Sequence, residues 1–301
     1  MVNVGWIGLG AMGAPMAGVL ARAGHHVAAY DVNAAAVTAL TGDGVVAAQT
    51  VADATREADV LAIMVATASQ AEEVLFGEGG AAALLREGAL VLVMSTVGPK
   101  PVEEWAERLG ESGVLVVDAP VSGGVARAAT GDLLMMVSGP EAALATARPL
   151  LDALSRTSPV VGTEPGDGQK VKLVNQLLCG VHIGVAAEAL AFAESLGLDA
   201  GSTWEVLRHG AAASFMLEDR GARMLDNPSG QVRSALDIFV KDMGLVLEAA
   251  RGSAFAAPLA TTAAQLYDAG RRAGLGRSDD SSIIEVLRGG GDVAASGPAA
   301  T

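Results

Sequence analysis

The chain has 301 residues, 51% of them hydrophobic, which is typical of about two globular domains with sizeable cores. A formal net charge of −14 leaves no basic stripe for nucleic-acid phosphates, so we expect no nucleic-acid partner. The single cysteine excludes an internal disulfide and any metal site built from several cysteines.

The most apolar parts of the chain bear on its localisation. The first residues, "MVNVGWIGLGAMG", lack the basic region and cleavage site of a signal peptide. The later run 173–187 is short for a membrane span and carries Asn, Gln and His. We therefore expect a cytoplasmic protein without a membrane partner.

Apolar runs alternate with helix-like segments through the first half of the chain. The helix-like segments are 14–23, 51–57 and 99–112, and the apolar runs before and between them are "VNVGWIGLG", "HHVAAYD", "DVLAIMV", "ALVLVMS" and "GVLVVDAP". Strands that are apolar on both faces and alternate with helices predict a parallel, doubly wound sheet. The pattern continues through "DLLMMVSG" and "SPVVG", and we predict an α/β domain over 1–164.

Helical patterns replace the strands in the second half. One apolar helix of about 30 residues is predicted from "GDGQKVKLVNQ" at 166–176 onward, and such a helix should be buried in the molecule. We predict an all-α domain over 165–301, with a mobile Gly- and Ala-rich tail.

A glycine-rich turn follows the first predicted strand and opens the next helix. Gly8, Gly10 and Gly13 form a G-x-G-x-x-G that encloses Met12, and Pro15 falls in the first helical turn. In this context the glycines let the backbone approach a pyrophosphate at the helix N-terminus. The segment predicts a Rossmann domain that binds a dinucleotide.

An acidic residue ends the second strand. Asp31 lies 18 residues beyond Gly13, near the spacing expected for a carboxylate that binds the adenosine ribose. A carboxylate repels a 2′-phosphate, and the following "VNAAAV" supplies no arginine to bind one. This favours NAD over NADP.

Four motifs occur together in one order: the glycine turn, "DAPVSGG" at 118–124, "GDGQKVKLVNQ" and "FVKDMGLVLEAA" at 239–250. As a set they resemble the β-hydroxyacid dehydrogenase family, to which 3-hydroxyisobutyrate dehydrogenase belongs. The second half of the chain looks most like the L-threonate dehydrogenase branch. The resemblance implies a Rossmann domain, an all-α domain for substrate binding and dimerisation, a long interdomain helix, and homodimers or homotetramers with the active site between domains.

Oxidation of an alcohol needs a base for the hydroxyl proton, and the sequence lacks the groups that other dehydrogenases use for this step. One Cys and four scattered His do not suit a catalytic zinc, and no Tyr has Lys four residues later. A lysine remains, as the family motif G-x-G-x-x-x-K-x-x-N-N/Q also implies for Lys172.

Helical phase separates the two lysines of this segment. Lys172 has Asn175 at i+3 and Gln176 at i+4, whereas Lys170 has only apolar residues there. We therefore expect Lys170 to lie in solvent and Lys172 to point inward as the catalytic group, with Asn175 holding the substrate hydroxyl. Partial burial and a nicotinamide cation would lower the pKa of Lys172 towards about 7–8.

Further site residues come from the sheet edge and from the resemblance. Thr96 follows a strand end, where open α/β sheets bind ligands. The resemblance implies a substrate carboxylate at Ser122, Gly123 and Gly124, a substrate contact for Gln176, and cofactor contacts for Val65, Ala66, Gln70 and Lys241.

The expected function is NAD-dependent oxidation of a short hydroxy acid, with a four-carbon sugar acid such as L-threonate as the first candidate substrate. Phe215 stands where a tryptophan is familiar in that branch, which leaves the substrate open. The alternatives are tartronate semialdehyde reduction, 3-hydroxyisobutyrate oxidation, imine reduction, and a non-catalytic dinucleotide-binding module. Lys172, Asn175 and the Ser-Gly-Gly turn disfavour the last two.

Overall fold

The computed structural model of the chain describes residues 1–40, 44–226 and 232–289. The tail from residue 290, for which mobility is predicted, lies outside the described residues. The chain divides into two compact units, Met1–Lys172 and Leu173–Thr301.

The first unit is built on two sheets. Eight strands of the described chain form the larger sheet in the order β11-β9-β6-β5-β4-β1-β2-β3, and the smaller sheet has the order β10-β8-β7. The run β3-β2-β1-β4-β5-β6 is the strand order of dinucleotide-binding domains, with its switch point between β1 and β4. The strands are β1 (Asn3–Ile7), β2 (His26–Tyr30), β3 (Val45–Ala47), β4 (Val60–Ile63), β5 (Leu90–Val93), β6 (Leu115–Asp118), β7 (Val121–Ser122), β8 (Leu133–Met135), β9 (Val137–Ser138), β10 (Ser155–Thr157) and β11 (Val160–Gly162).

Every apolar run that predicts a strand contains one, and the predicted parallel, doubly wound sheet is confirmed with one exception. β9 pairs antiparallel with β6 through Ser138 and Asp118. The run "DLLMMVSG" also breaks into two strands, with β8 in the small sheet and β9 in the large one. The short strands β3, β7 and β10 are not predicted, because two or three residues are too few to show a period.

Helices cover both faces of the large sheet. Leu90 and Leu92 of β5 face one apolar core, and Val91 and Val93 face the other, as the alternation of side chains along a strand requires. The helices of this unit are α1 (Gly13–Arg22), α2 (Ala34–Leu40), α3 (Val51–Thr55), α4 (Ala68–Phe76), α5 (Pro99–Gly110), α6 (Gly124–Thr130) and α7 (Glu141–Leu154).

A single helix, α8 (Asp167–Ser195), runs for 29 residues across the boundary between the units, as predicted. The expectation that it is buried all round is wrong. Val174, Leu178, Val185 and Phe192 are each at least half exposed, and their spacing of four and seven residues places them on one strip. Among the described residues, α8 is the one helix long and apolar enough to cross a membrane, a test that core helices also pass.

The second unit is helical in its described part, apart from an isolated bridge between Ala235 and Asp279. Its apolar core is centred on Phe239 stacked against Tyr267, with ring centroids 5.3 Å apart. A Rossmann-like α/β unit followed by an all-α unit confirms the predicted fold class. The remaining helices are α9 (Ala200–Leu207), α10 (Phe215–Asp226), α11 (Leu236–Gly252), α12 (Pro258–Arg272), a 3₁₀ turn (Asp280–Ile283) and α13 (Ile284–Leu287).

Candidate active site

The three glycines of the fingerprint have different physical roles. Gly8 has a φ of +98°, and a Cβ there would lie 2.4 Å from the carbonyl oxygen of Met64. A Cβ on Gly13 would lie 2.1 Å from the carbonyl oxygen of Gly8. A Cβ on Gly10 would have no heavy atom within 4 Å, so open space lies over this backbone. The loop therefore fits a dinucleotide that approaches at Gly10, while Gly8 and Gly13 close the turn.

The first helix begins where a pyrophosphate site needs it. α1 starts at Gly13 directly after Met12, and Pro15 lies in its first turn as predicted. Since the first N–H groups of a helix have no partner within it, this end of α1 can bind an anion.

Asp31 is placed beside the same loop. Its Oδ2 accepts a hydrogen bond from Leu9 N at 2.6 Å, and its Oδ1 accepts one from Asn33 N at 2.7 Å. Each carboxylate oxygen can accept a second bond, so these contacts orient Asp31 and still leave acceptor capacity for ribose hydroxyls.

The loops after β4 and β5 are held together by side chains. Val65 N donates to Ser95 Oγ at 2.8 Å, which links the first loop to the strand end that precedes Thr96. Gln70 Oε1 accepts from Ala66 N at 2.9 Å and belongs to a capping box with Thr67 at the start of α4. The structure thus gives Gln70 a role in shaping this loop, and its contact with the cofactor stays a prediction.

Lys172 lies inside the protein beside the Ser-Gly-Gly turn. Its side chain is only 6% exposed, and Nζ donates to Val121 O at 2.8 Å. Val121 and Ser122 together form strand β7, so Nζ is anchored one residue before the predicted carboxylate site. Gly123 and Gly124 follow with φ values of +138° and +76°, a conformation that favours glycine.

Lys170 faces away from this group. Its side chain is 55% exposed, and Nζ lies 2.9 Å from Asp167 Oδ1 and 3.2 Å from Glu103 Oε1. The hydrogen bond to Asp167 is the main cause that raises the pKa of Lys170, with Glu103 contributing further. The predicted division between a solvated Lys170 and an inward Lys172 is confirmed.

Asn175 and Gln176 continue the polar strip along α8. Asn175 Nδ2 donates to Gln176 Oε1 at 2.8 Å and to Cys179 Sγ at 3.4 Å. Gln176 is 6% exposed, and its Nε2 donates to the buried carboxylate of Asp242. Lys241 Nζ lies 3.0 Å from Asp242 Oδ1. The substrate role of Gln176 and the cofactor role of Lys241 stay predictions.

Comparisons with known proteins agree with this arrangement. Residues 3–162 match the family model described as the NAD binding domain of 6-phosphogluconate dehydrogenase. Residues 166–287 match the model described as NAD-binding of NADP-dependent 3-hydroxyisobutyrate dehydrogenase. An L-threonate dehydrogenase of Cupriavidus necator is 43% identical over 95% of this chain and 96% of its own length. The chain belongs to the β-hydroxyacid dehydrogenase family.

Other members of the family are similar over their whole length. A 2-hydroxy-3-oxopropionate reductase of Escherichia coli is 35% identical over 95% of this chain and 97% of its own. A crystal structure of 3-hydroxyisobutyrate dehydrogenase from Salmonella typhimurium is 39% identical, with a TM-score of 0.90 over 95% of this chain and 100% of that chain. As a β-hydroxyacid dehydrogenase, the chain is an NAD-binding oxidoreductase that acts on hydroxy acids.

Two buried residues of this β-hydroxyacid dehydrogenase are missed by the sequence analysis. Asp118, at the end of β6, and Gln169, in the first turn of α8, are both fully buried. Asp118 Oδ2 accepts from Gly166 N at 3.2 Å and Gln169 N at 2.8 Å, and Oδ1 accepts from Gln169 Nε2 at 2.7 Å. Burial raises the pKa of Asp118 to about 6, against the opposing effect of these donors. A signal for Asp118 is visible: an acid ends the apolar run "VLVVD".

A metal site has no support in the residues that the structure describes. Within 1–40, 44–226 and 232–289, no group of three or more His, Cys, Asp or Glu is arranged to hold an ion.

Proposed function

We propose that the chain oxidises L-threonate with NAD and that Lys172 is its general base. The main support for the role of Lys172 is its position: it is 6% exposed and donates to Val121 O, next to the Ser-Gly-Gly turn. The substrate follows from the relative in Cupriavidus necator, which is named L-threonate dehydrogenase and is 43% identical.

Side chains and backbone groups of the chain have separate roles in the proposed reaction. The neutral amine of Lys172 accepts the proton of the substrate hydroxyl, and in the reverse direction the ammonium returns it. The Ser122 hydroxyl and the backbone N–H groups of Gly123 and Gly124 bind the substrate carboxylate. Asn175 orients the hydroxyl towards Lys172. NAD supplies the hydride acceptor when it is bound.

Cofactor preference follows from charge. The carboxylate of Asp31, oriented by Leu9 N and Asn33 N, accepts bonds from the 2′- and 3′-hydroxyls of an adenosine ribose. The same charge repels the 2′-phosphate of NADP. We therefore propose a preference for NAD, with further cofactor contacts from Met12, Val65, Ala66, Thr96 and Lys241.

The exposed apolar strip of α8 supports a homo-oligomer. Val174, Leu178, Val185 and Phe192 are 62%, 50%, 54% and 61% exposed in the single chain. An apolar strip of this length on a 29-residue helix is stabilised by a second copy of the chain. We propose a cytoplasmic dimer or tetramer, with NAD bound by residues 1–164 and with substrate binding and dimerisation assigned to 165–301.

A panel of substrates tests the proposal. Initial rates with NAD and with NADP are measured for L-threonate, D-threonate, D-glycerate and 3-hydroxyisobutyrate. We expect the highest kcat/KM for L-threonate with NAD. Higher values for D-glycerate would favour reduction of tartronate semialdehyde, the 2-hydroxy-3-oxopropionate of the Escherichia coli relative. Turnover of none of the four would remove the substrate proposal.

A further inference from the structure

The start of α8 is held both by acceptors from the first unit and by a buried amide of its own. Gly168 N donates to Ser138 Oγ at 2.9 Å, and Gln169 N donates to Asp118 Oδ2 at 2.8 Å. Gln169 is fully buried, and its side chain makes four hydrogen bonds to two segments of the first unit, residues 95–98 and Asp118. Nε2 donates to Asp118 Oδ1 at 2.7 Å and to Ser95 O at 3.0 Å. Oε1 accepts from Val97 N at 3.0 Å and from Gly98 N at 3.1 Å. Every polar atom of this amide therefore has its partners.

The same amide joins the strand ends at which the candidate site lies. Ser95 and Val97 flank Thr96 at the end of β5, and Ser95 Oγ accepts from Val65 N at 2.8 Å. Asp118 ends β6, and two residues separate it from β7, which leads into the Ser-Gly-Gly turn. Gln169 thus fixes the start of α8 to the edge formed by β4, β5 and β6.

Lys172 lies on the strip of α8 that Gln169 holds. The two residues are three positions apart, so their side chains lie on one face of the helix. A shift or rotation of the first turn would move Lys172 Nζ from Val121 O, to which it donates at 2.8 Å. Proton transfer tolerates such a shift poorly, because a displacement of about 1 Å can lower a rate about 100-fold.

We propose that Gln169 is a positioning residue for Lys172: its buried amide sets the position of the first turn of α8, and through it the place of the lysine amine. Gln169 itself touches neither substrate nor cofactor in this account. The inference rests on the proposed function insofar as Lys172 is the general base, but the position of Lys172 can be measured without any substrate.

The main test variant is Gln169→Met, which keeps the length of the side chain and removes all four hydrogen bonds. Its unfolding free energy will fall, because Asp118 and the three backbone groups are left buried without this partner. Gln169→Glu is the second variant, should the methionine protein not fold. It retains the acceptor for Val97 N and Gly98 N but places an acid against Asp118.

Leu109→Ala is the control for lost stability. Leu109 is 2% exposed near the far end of α5, about 16 Å along that helix from Gly98. Truncating a buried leucine leaves a cavity and lowers the unfolding free energy, as the test variant also should. This control should leave the position of Lys172 and the kcat unchanged.

The first readout is the rate of acetylation of Lys172 by acetic anhydride, followed by mass spectrometry with the exposed Lys100 of α5 as an internal standard. We expect labelling of Lys172 to rise at least about tenfold in Gln169→Met, because the amine leaves its buried bond. Lys100, which lies outside α8, should label at the same rate in all proteins. Unchanged labelling of Lys172 in folded Gln169→Met or Gln169→Glu would overturn the inference.

The second readout is a double-mutant cycle on kcat. Gln169→Met should lower kcat about 100-fold in the parent and less than about threefold in Lys172→Ala, since the residue acts through the lysine. The dissociation constant for NAD should change less than about threefold. Equal losses in both backgrounds, or a loss matched by Leu109→Ala, would overturn the inference.

The two proposals fail differently. A parent protein without turnover of any hydroxy acid contradicts the proposed function, while increased labelling of Lys172 still supports the positioning role. Normal turnover with unchanged labelling contradicts the positioning role alone.

Discussion

Replacement of Asp118 by Asn should destabilise the first unit because no orientation of the new amide satisfies its neighbours. If the nitrogen replaces Oδ1, it faces the Nε2–H of Gln169, and if it replaces Oδ2, it faces two backbone N–H groups. Rotating the Gln169 amide does not help, because its Oε1 already accepts from Val97 N and Gly98 N. A buried donor that is left without its acceptor costs about 1–3 kcal/mol.

The size of this loss should depend on pH in a defined direction. Burial raises the pKa of Asp118 from its ordinary 3.8 to about 6, so the folded protein binds this proton more tightly than the unfolded chain. The contribution of Asp118 to the unfolding free energy is therefore fully present below pH 3.8 and falls as the pH rises through 6. At about 1.4 kcal/mol per pKa unit the full change is about 3 kcal/mol, of which about 1.4 kcal/mol falls between pH 5 and pH 8.

Urea denaturation at pH 5, 6, 7 and 8 measures this effect. Trp6 and Trp105 lie in the first unit and Trp204 in the second, so a Trp204→Phe background restricts the fluorescence signal to the first unit. The parent and Asp118→Asn share all other titrating groups, whose effects cancel in the difference. We expect the stability deficit of the variant to shrink by about 1.4 kcal/mol from pH 5 to pH 8. A deficit that is constant or grows with pH would refute the reasoning.

Three further predictions concern the cofactor site and the second unit. Gly13→Ala should lower the unfolding free energy by about 3 kcal/mol in urea denaturation. Gly10→Ala should change it by no more than about 0.5 kcal/mol and should weaken NAD binding. The reverse pattern would contradict the roles assigned to the two glycines. Asp31→Ala should lower the ratio of kcat/KM for NAD over NADP at least about tenfold, and a parent that prefers NADP would refute the ribose argument. Arg220→Met should cost about 1–3 kcal/mol, because the fully buried Asp280 loses one guanidinium at 3.0 Å and keeps that of Arg223; an unchanged thermal midpoint would contradict this.

Short-range periodicity predicts much of this molecule because it depends only on neighbouring residues. The positions of Lys170 and Lys172 follow from a rotation of about 200° between residues two apart on a helix. The capping role of Gln70 was also readable, since "TASQ" at 67–70 is a T-x-x-Q capping box. The resemblance implies a cofactor contact for the same residue.

Contacts between distant segments could not be predicted in the same way. The partners of Gln169 lie 51 to 74 residues away, and only the order of β4, β5 and β6 in the sheet brings them together. The exposed strip on α8 was likewise unpredictable, because an apolar helix pattern does not say whether the same chain covers every face. The antiparallel pairing of β9 requires the backbone to leave one sheet and enter the other at Met136. The sequence shows no sign of this change, because the apolar run continues through that residue.

The most direct measurement of the central claim compares Lys172→Ala with Lys170→Ala. In oxidation of L-threonate with NAD, we expect Lys172→Ala to lower kcat about 100- to 10,000-fold, the range of general acid–base catalysis, while the dissociation constant for NAD changes little. Lys170→Ala should retain the parent rate, because this side chain is exposed and pairs with Asp167 and Glu103 on the surface. A Lys172→Ala protein that turns over at a rate close to that of Lys170→Ala would contradict the account.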